Sequence, residues 1–229
     1  MFLRKIKTLP LVGPLVKRIH NQYLLRKRSK NFKSSTQFWT EKYVQGGHSG
    51  FGSYNELAEF KADVINELIK QNNFSTFVEF GSGDGNQVKL IDYPNYVGYD
   101  ISEVAVEMCR EHFKGQDNRD FRLMSDYGSE KFDVSISLDV IFHLVEDDVY
   151  QSYLKTLFGA AEKAVIIYSS NNEENTDNYY PQVRHRKFTA DVEAMFPDFF
   201  LETHIPNKYP YKGNSLTGSF ADFYIYKRK

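Results

Sequence analysis

A run of glycines between acidic side chains has the spacing of a small-molecule site. Glu79 precedes Gly81, Gly83 and Gly85 in the run EFGSGDGN, and Asp100 follows the last glycine by fifteen residues. Glycines allow a ligand to approach the backbone closely. A carboxylate can accept hydrogen bonds from both hydroxyls of a ribose. The spacing therefore indicates a turn that binds a nucleoside.

The glycine run completes neither of two common phosphate-binding motifs. A dinucleotide fingerprint, G-x-G-x-x-G, that starts at Gly81 requires glycine at position 86, where Asn86 stands. A P-loop requires a lysine after its last glycine, and none follows Gly85 in this way. A further acid, Asp126, follows the next apolar segment and could accept a hydrogen bond from an adenine amino group. A purely structural turn is the alternative.

Alternating strands and helices are predicted to position these residues. Predicted strands cover 76–80, 96–100, 121–124, 132–138 and 164–168, with two late strands around 199–205 and 220–226. Predicted helices begin at Ser53, whose S-x-x-E spacing is that of a capping box, and cover 102–113, 149–158 and 189–196. This order predicts an α/β fold with a mostly parallel sheet, in which ligands bind at the carboxyl ends of the strands.

The composition is typical of a folded chain without disulfides. Its 229 residues are 41% hydrophobic, and its single cysteine, Cys109, excludes an intramolecular disulfide and a cysteine-based zinc site. No stretch approaches the roughly 18 apolar residues of a membrane-spanning helix. No H-E-x-x-H or similar cluster occurs, so no metal is predicted.

Charge divides the chain into a basic arm and an acidic remainder. Residues 1–40 contain ten Lys or Arg and no acid, whereas the rest contains 19 Lys or Arg and all 30 acids. We therefore separate a basic amphipathic arm, 1–36, from a lid and helix, 37–73, and a main domain, 74–229. The arm lacks the pattern of an export signal, which predicts a cytoplasmic protein. It is expected to contact an anionic membrane or an acidic partner rather than nucleic acid, with a solvated extension as the alternative.

From Phe74 to Tyr226 the sequence resembles the class I S-adenosylmethionine-dependent methyltransferases. The glycine run with its preceding acid, the ribose-binding acid Asp100 and the adenine-side acid Asp126 all match that family's motifs. The resemblance implies S-adenosylmethionine as cofactor. It also implies a Rossmann-like, seven-stranded, mostly parallel sheet with an antiparallel last-strand insertion and helices on both faces. A helix is expected after the glycine turn, shortened because Pro94 follows closely.

The resemblance also implies further cofactor contacts and a class of acceptor. Ser82, Ile101 and Tyr127 adjoin the matched positions and are expected to contact the cofactor. The stretches SLDVIFHLVEDD, VIIYSSN, VRHRKF and SFADFY look like those of bacterial methyltransferases found alongside glycosyltransferases in surface-polysaccharide pathways. This implies methylation of a sugar, nucleotide-sugar or glycan hydroxyl, with a glycosyltransferase as a possible partner of the arm. The alternatives are N- or carboxyl-methylation of another metabolite and a non-catalytic cofactor-binding module.

His143 and Asp139 are the candidate catalytic residues. A sugar hydroxyl needs a base before it becomes a good nucleophile. His143 follows the fourth predicted strand, close to where the family places its acceptor. The alternative is that His143 only braces its loop. Asp139 could orient His143 or contact the amino group of the cofactor.

Two further segments are predicted to contribute to substrate binding and closure. The cationic cluster of Arg184, His185 and Arg186 could clamp a phosphate or carboxylate, with a solvated charged face as the alternative. Tyr168, Ser170 and Asn171 could line the same pocket. The glycine-rich loop 46–53 resembles a lid over the cofactor, and a plain hinge is the alternative.

Overall fold

The computed structural model describes residues 32–175 and 180–229, so most of the predicted arm, residues 1–31, lies outside the described residues. The described helices are α1 (Ser35–Val44), α2 (Asn55–Gln71), α3 (Glu103–His112), α4 (Asp147–Ala160) and α5 (Phe188–Met195). The described strands are β1 (Thr76–Phe80), β2 (Asn95–Asp100), β3 (Arg119–Leu123), β4 (Phe132–Leu138), β5 (Ala161–Ser169), β6 (Phe199–Ile205) and β7 (Asp222–Arg228). None of these helices is long and apolar enough to cross a bilayer.

The seven strands form one mixed sheet in the order β3-β2-β1-β4-β5-β7-β6. Strands β1 to β5 pair in parallel. Strand β7 lies between β5 and β6 and is antiparallel to both. The sequence-based prediction of a mostly parallel, seven-stranded sheet with an antiparallel insertion is confirmed.

Helices cover both faces of this sheet because its central strands are apolar on both sides. In β5, Ala164, Ile166 and Tyr168 face one core, which also contains apolar side chains of α2 and α3. The intervening Val165 and Ile167 face the second core, which contains those of α4 and α5. The alternation of side chains along each strand thus builds a three-layer structure.

The expected helix between β1 and β2 is absent, although residues 81–94 are all described. A single 3₁₀ turn, Val88–Leu90, stands in its place. The chain then extends so that Ile91 and Tyr93 are buried, and the Tyr93 ring stacks on Tyr96 with 4.7 Å between centroids. An α-helix over residues 88–94 would not place Ile91 and Tyr93 in these contacts. Pro94 also disfavours a helical conformation of the residue that precedes it.

The predicted capping box at Ser53 does not form either. Ser53 belongs to a 3₁₀ turn, Phe51–Ser53, and α2 begins only at Asn55. The carbonyl of Ser53 accepts a hydrogen bond of 2.7 Å from Asn86 Nδ2. Ser53 therefore contacts the segment after the glycine turn instead of capping α2.

Candidate active site

The glycine turn after β1 places left-handed residues beside Asp100. Gly81 and Gly83 have φ values of 91° and 60°, which disfavour residues with a Cβ. The backbone N–H of Gly83 donates to Asp100 Oδ2 over 2.9 Å, and Ser102 N–H donates to Asp100 Oδ1 over the same distance. The Asp100 carboxylate is thereby fixed at the end of β2 while it retains free lone pairs.

A cavity of about 450 Å³ opens beside this turn, at the carboxyl ends of the parallel strands. This volume is typical of small-molecule sites. The predicted site residues that line it are Glu79, Gly81, Ser82, Gly83, Asp100, Ile101, Asp139 and His143. The structure therefore brings together most of the predicted cofactor residues and both predicted catalytic residues.

Glu79 forms part of the cavity floor at the end of β1. Its side chain is buried, and Tyr96 donates a hydroxyl hydrogen bond of 2.7 Å to Oε2. Burial raises the pKa of the Glu79 carboxyl to about 7, although Tyr96 and the Lys61 charge act in the opposite direction.

Lys61 is a site residue that the sequence reading missed. It lies on α2, its side chain is 1% exposed, and its Nζ forms an ion pair of 2.6 Å with Asp139 Oδ2. Both residues line the cavity. One signal was present in the sequence: Lys61 lies four residues after Leu57 and four before Ile65, so a charge interrupts the apolar stripe of α2. A buried lysine needs such a partner.

His143 lies in the cavity wall with its ring orientation fixed. Its Nδ1 is 2.8 Å from the carbonyl oxygen of Gln182, so Nδ1 carries the proton and Nε2 is the nitrogen free to accept one. The indole of Trp39 packs edge-on against the ring, with 4.7 Å between centroids. Burial lowers the pKa of His143 to about 4, which keeps the imidazole neutral at pH 7. Asp139 is paired with Lys61 and does not hold Nδ1.

The predicted lid loop is docked on the glycine turn. Ser49 N–H and the Tyr54 hydroxyl both donate to Asp84 Oδ2, over 2.9 and 2.8 Å. The backbone N–H of Asp84 donates in return to Ser49 Oγ, which also lies 2.9 Å from the Tyr43 hydroxyl. These contacts close one side of the cavity and explain the glycine at position 83, where a Cβ would lie 2.2 Å from Ser49 Oγ.

Three predicted cofactor residues lie outside the cavity lining. A Cβ on Gly85 would lie 2.9 Å from the sulfur of Cys109, so this glycine allows close packing of α3 on the turn. Asp126 is exposed in a 3₁₀ turn, Met124–Asp126, of which Met124 lines the cavity instead. Tyr127 packs edge-on against Phe80, with ring centroids 5.1 Å apart.

The predicted substrate residues at the end of β5 and just after it are also outside the lining, and each has a partner within the fold. Tyr168 is buried and accepts a hydrogen bond of 2.6 Å from Asn207 Nδ2. Ser170 Oγ lies 2.7 Å from His185 Nδ1. Asn171 accepts from the backbone N–H of Thr189, over 3.2 Å, at the first turn of α5. These contacts fix the position of the loop that follows β5.

The cationic cluster braces the start of α4 rather than facing the cavity. Arg184 and Arg186 both pair with Asp147, over 2.9 and 3.0 Å, and both donate to the carbonyl oxygen of Val145. Arg186 is buried, and its guanidinium lies 4.4 Å from the centroid of the Tyr150 ring. The intervening His185 packs edge-on against Phe220 at 4.6 Å. As placed, the guanidinium groups have no access to a ligand in the cavity.

The residues of the cavity fit S-adenosylmethionine. Ser82 Oγ and Gln87 Oε1 are buried in the wall and have no hydrogen-bond partner among the described residues, which is typical of groups that bind a polar ligand. The lining contains the four acids Glu79, Asp100, Asp139 and Asp148, but Lys61 is its only Lys or Arg among the described residues. An excess of acids favours a cationic sulfonium. No group of acids, histidines or cysteines suited to a metal occurs in the described ranges.

One protein family matches part of this chain. The family model described as a methyltransferase domain matches residues 78–158, which include the glycine turn, Asp100 and His143. No curated protein sequence matches the chain.

Solved methyltransferase structures share the fold. The methyltransferase domain of bacterial CtHen1-C is 16% identical, with a TM-score of 0.59 over 74% of this chain and 97% of that one. Magnesium protoporphyrin IX methyltransferase from Synechocystis PCC 6803, with bound SAM, is 15% identical, with a TM-score of 0.59 over 87% and 99%. A SAM-dependent methyltransferase from Anabaena variabilis is 18% identical, with a TM-score of 0.57 over 84% and 93%. Together with the motifs and the cavity, the match over residues 78–158 shows that the chain carries a methyltransferase domain, and the shared fold of these solved structures agrees with it.

Proposed function

We propose that this methyltransferase acts on a hydroxyl group of a sugar or glycan. The observation that carries the proposal is the neutral His143 imidazole in the cavity wall, whose Nδ1 is held by the Gln182 carbonyl. This arrangement leaves Nε2 to accept a proton from the acceptor. A hydroxyl requires such assistance because it is a poor nucleophile while protonated.

The wall around His143 supports an acceptor without negative charge. Trp39 offers an aromatic ring, and Thr36, Asp148 and Ser152 add hydroxyl and carboxylate groups to the lining. Such a combination suits the hydroxyls and apolar face of a sugar ring. Among the described residues, Lys61 is the only Lys or Arg in the lining, whereas a diphosphate carries more than one negative charge. Of the predicted acceptors, a sugar or glycan therefore fits the cavity better than the diphosphate of a nucleotide-sugar.

The residues of the chain would contribute positioning and proton transfer. When bound, S-adenosylmethionine supplies an electrophilic methyl group on its sulfonium. The glycine turn and Asp100 would hold the nucleoside, and His143 would take the proton from the acceptor hydroxyl at Nε2. The loop docked on Asp84 excludes water from this side of the cavity. Alignment of the two reactants provides much of the rate enhancement in such a displacement.

An amine acceptor is a second candidate because Asp148 lines the cavity. A carboxylate there could pair with an ammonium group, and His143 could take its proton before transfer. The solved relatives do not decide between acceptors. One is named for magnesium protoporphyrin IX and another for carbon methylation, so related folds serve different acceptors.

An acceptor panel tests the proposal. The purified chain is incubated with methyl-labelled S-adenosylmethionine and with neutral oligosaccharides, amino sugars, uronic acids and nucleotide-sugars. We expect label in the neutral oligosaccharides or amino sugars, on oxygen, with less in the anionic compounds. Label only on nitrogen would favour the amine acceptor, and label only in carboxylates would contradict the proposal. Tight cofactor binding without any transfer would favour a non-catalytic module.

We further propose that the basic arm brings the enzyme to an anionic membrane surface or to a glycosyltransferase. The support is its charge: residues 1–40 carry ten Lys or Arg and no acid. Apolar and basic side chains interleaved in this way bind anionic lipid surfaces. Deletion of residues 1–31 should abolish sedimentation with vesicles containing phosphatidylglycerol but leave S-adenosylhomocysteine affinity unchanged. Equal sedimentation of both forms would rule out the membrane role.

A further inference from the structure

Lys61 is the one Lys or Arg in the cavity lining within the described ranges, and its hydrogen-bonding capacity is only partly used. An ammonium group has three N–H donors. Among the described residues, Asp139 Oδ2 is the one acceptor within hydrogen-bond distance of Lys61 Nζ. The side chain is 1% exposed, so water does not readily supply the missing acceptors. A buried ammonium with two unused donors points to an anionic or strongly polar ligand.

The surroundings of Lys61 place these donors at the floor of the cavity. Asp139 follows β4, with a positive φ of 59°, and its side chain remains 18% exposed. The Lys61 charge also acts on Glu79 at the end of β1. The lid covers this pair from the other side, because a Cβ on Gly52 would lie 2.8 Å from Asp139 Oδ2. The pair therefore lies between the two strand ends and the lid.

S-adenosylmethionine carries both a carboxylate and an ammonium at its amino-acid end. The four acids in the lining would repel a carboxylate, and His143 is neutral. Lys61 alone combines positive charge with unused donors. Asp139 Oδ1 has no hydrogen-bond partner among the described residues, so it can accept from an ammonium.

We propose that Lys61 and Asp139 together form the binding site for the amino-acid end of the cofactor, with Lys61 as the anchor for its carboxylate. An ion pair that is already formed in the cavity wall offers opposite charges to the two ends of a zwitterion. The site is then preorganised, since neither charge must be brought in from solvent. This inference rests on the cofactor and is independent of the proposed acceptor.

The test compares ligands that differ only at the amino-acid end. Calorimetric titrations use S-adenosylhomocysteine, its decarboxylated analogue and 5′-methylthioadenosine with the wild type, Lys61→Met and Lys70→Met. Lys70 is an exposed lysine on the same helix and serves as the matched control. Lys61→Met should weaken S-adenosylhomocysteine by about 10- to 100-fold, the range expected for a hydrogen bond to a charged group. Binding of the decarboxylated analogue and of 5′-methylthioadenosine should change by about twofold or less.

Two outcomes with the Lys61→Met variant would overturn the proposal. Equal weakening of all three ligands would make Lys61 a purely structural residue, and unchanged S-adenosylhomocysteine affinity would exclude the contact. If Lys61→Met fails to fold because Asp139 is left unpaired, the Lys61→Met/Asp139→Asn double variant removes both charges. It should weaken S-adenosylhomocysteine but leave 5′-methylthioadenosine, which lacks the amino-acid end, within about twofold of the wild type. The wild type gives a check without any variant, since equal affinity for S-adenosylhomocysteine and its decarboxylated analogue would also overturn the proposal. No titration involves an acceptor, so a wrong acceptor class leaves this result unaffected.

Discussion

Replacement of Asp100 by alanine is expected to weaken S-adenosylhomocysteine binding by about 100-fold or more. Asp100 lies at the end of β2, and its carboxylate lines the cavity beside Gly83. We expect it to accept two hydrogen bonds from the ribose hydroxyls. At about 1.5 kcal/mol for each bond to a charged group, their loss corresponds to roughly 150-fold in affinity. Calorimetric titration measures this change.

The Asp100→Ala experiment needs a control for folding, because Gly83 and Ser102 also lose an acceptor for their N–H groups. Circular dichroism and the melting temperature show whether the variant folds. Asp92→Ala is the matched control, since Asp92 is an exposed acid in the segment between β1 and β2, outside the cavity lining. If folded Asp100→Ala binds as tightly as the wild type, the ribose assignment is wrong.

Replacement of His143 by alanine is expected to lower turnover by about 100-fold or more, the usual contribution of a general base. The acceptor is the one identified by the panel described above. The reason is loss of Nε2, the nitrogen left available once Nδ1 binds the Gln182 carbonyl. S-adenosylhomocysteine affinity should stay within about twofold of the wild type, which separates a catalytic defect from a binding defect. Normal turnover would leave His143 with a structural role only.

The protonation state of His143 gives an independent check. Burial lowers the pKa of His143 to about 4, below its ordinary value of 6.5, so the ring should stay neutral as the pH falls from 8 to 5. Its NMR signals, assigned by comparison with His143→Ala, should therefore show a neutral ring with the proton on Nδ1 throughout this range. A ring that titrates between pH 6 and 7 would contradict the buried environment and the role as a base at lower pH.

The sequence predicted the sheet well because its strands are marked by local patterns. Strands β1, β4 and β6 begin and end at the predicted residues, since continuous or alternating apolar side chains stop at turn-forming residues there. The absent helix after the glycine turn shows the limit of such patterns. Burial of Ile91 and Tyr93 depends on residues of β2 and α3, which no local pattern reveals.

The site was predicted less completely than the fold. Gly81, Gly83 and Asp100 could be placed because the motif fixes them relative to two strand ends. Lys61 escaped because its partner Asp139 is 78 residues away along the chain. Arg184 and Arg186 were predicted to bind an anion because a sequence shows charged residues but not their partners. In the structure both guanidinium groups form ion pairs with Asp147. Long-range pairing of charges therefore decides whether a charged side chain lines the cavity or is used within the fold.

The position of β7 inside the sheet has a consequence for the synthesis of the protein. Strand β6 is made before β7, yet among the described strands β7 is its only neighbour in the sheet. During translation, β6 therefore has no hydrogen-bonded strand partner until β7 has left the ribosome. The edge of β5 that pairs with β7 is unpaired for the same period. An open apolar edge is a place where a nascent chain can associate with another copy of itself. Folding yield during translation should thus depend most on how quickly residues 222–228 become available to close the sheet.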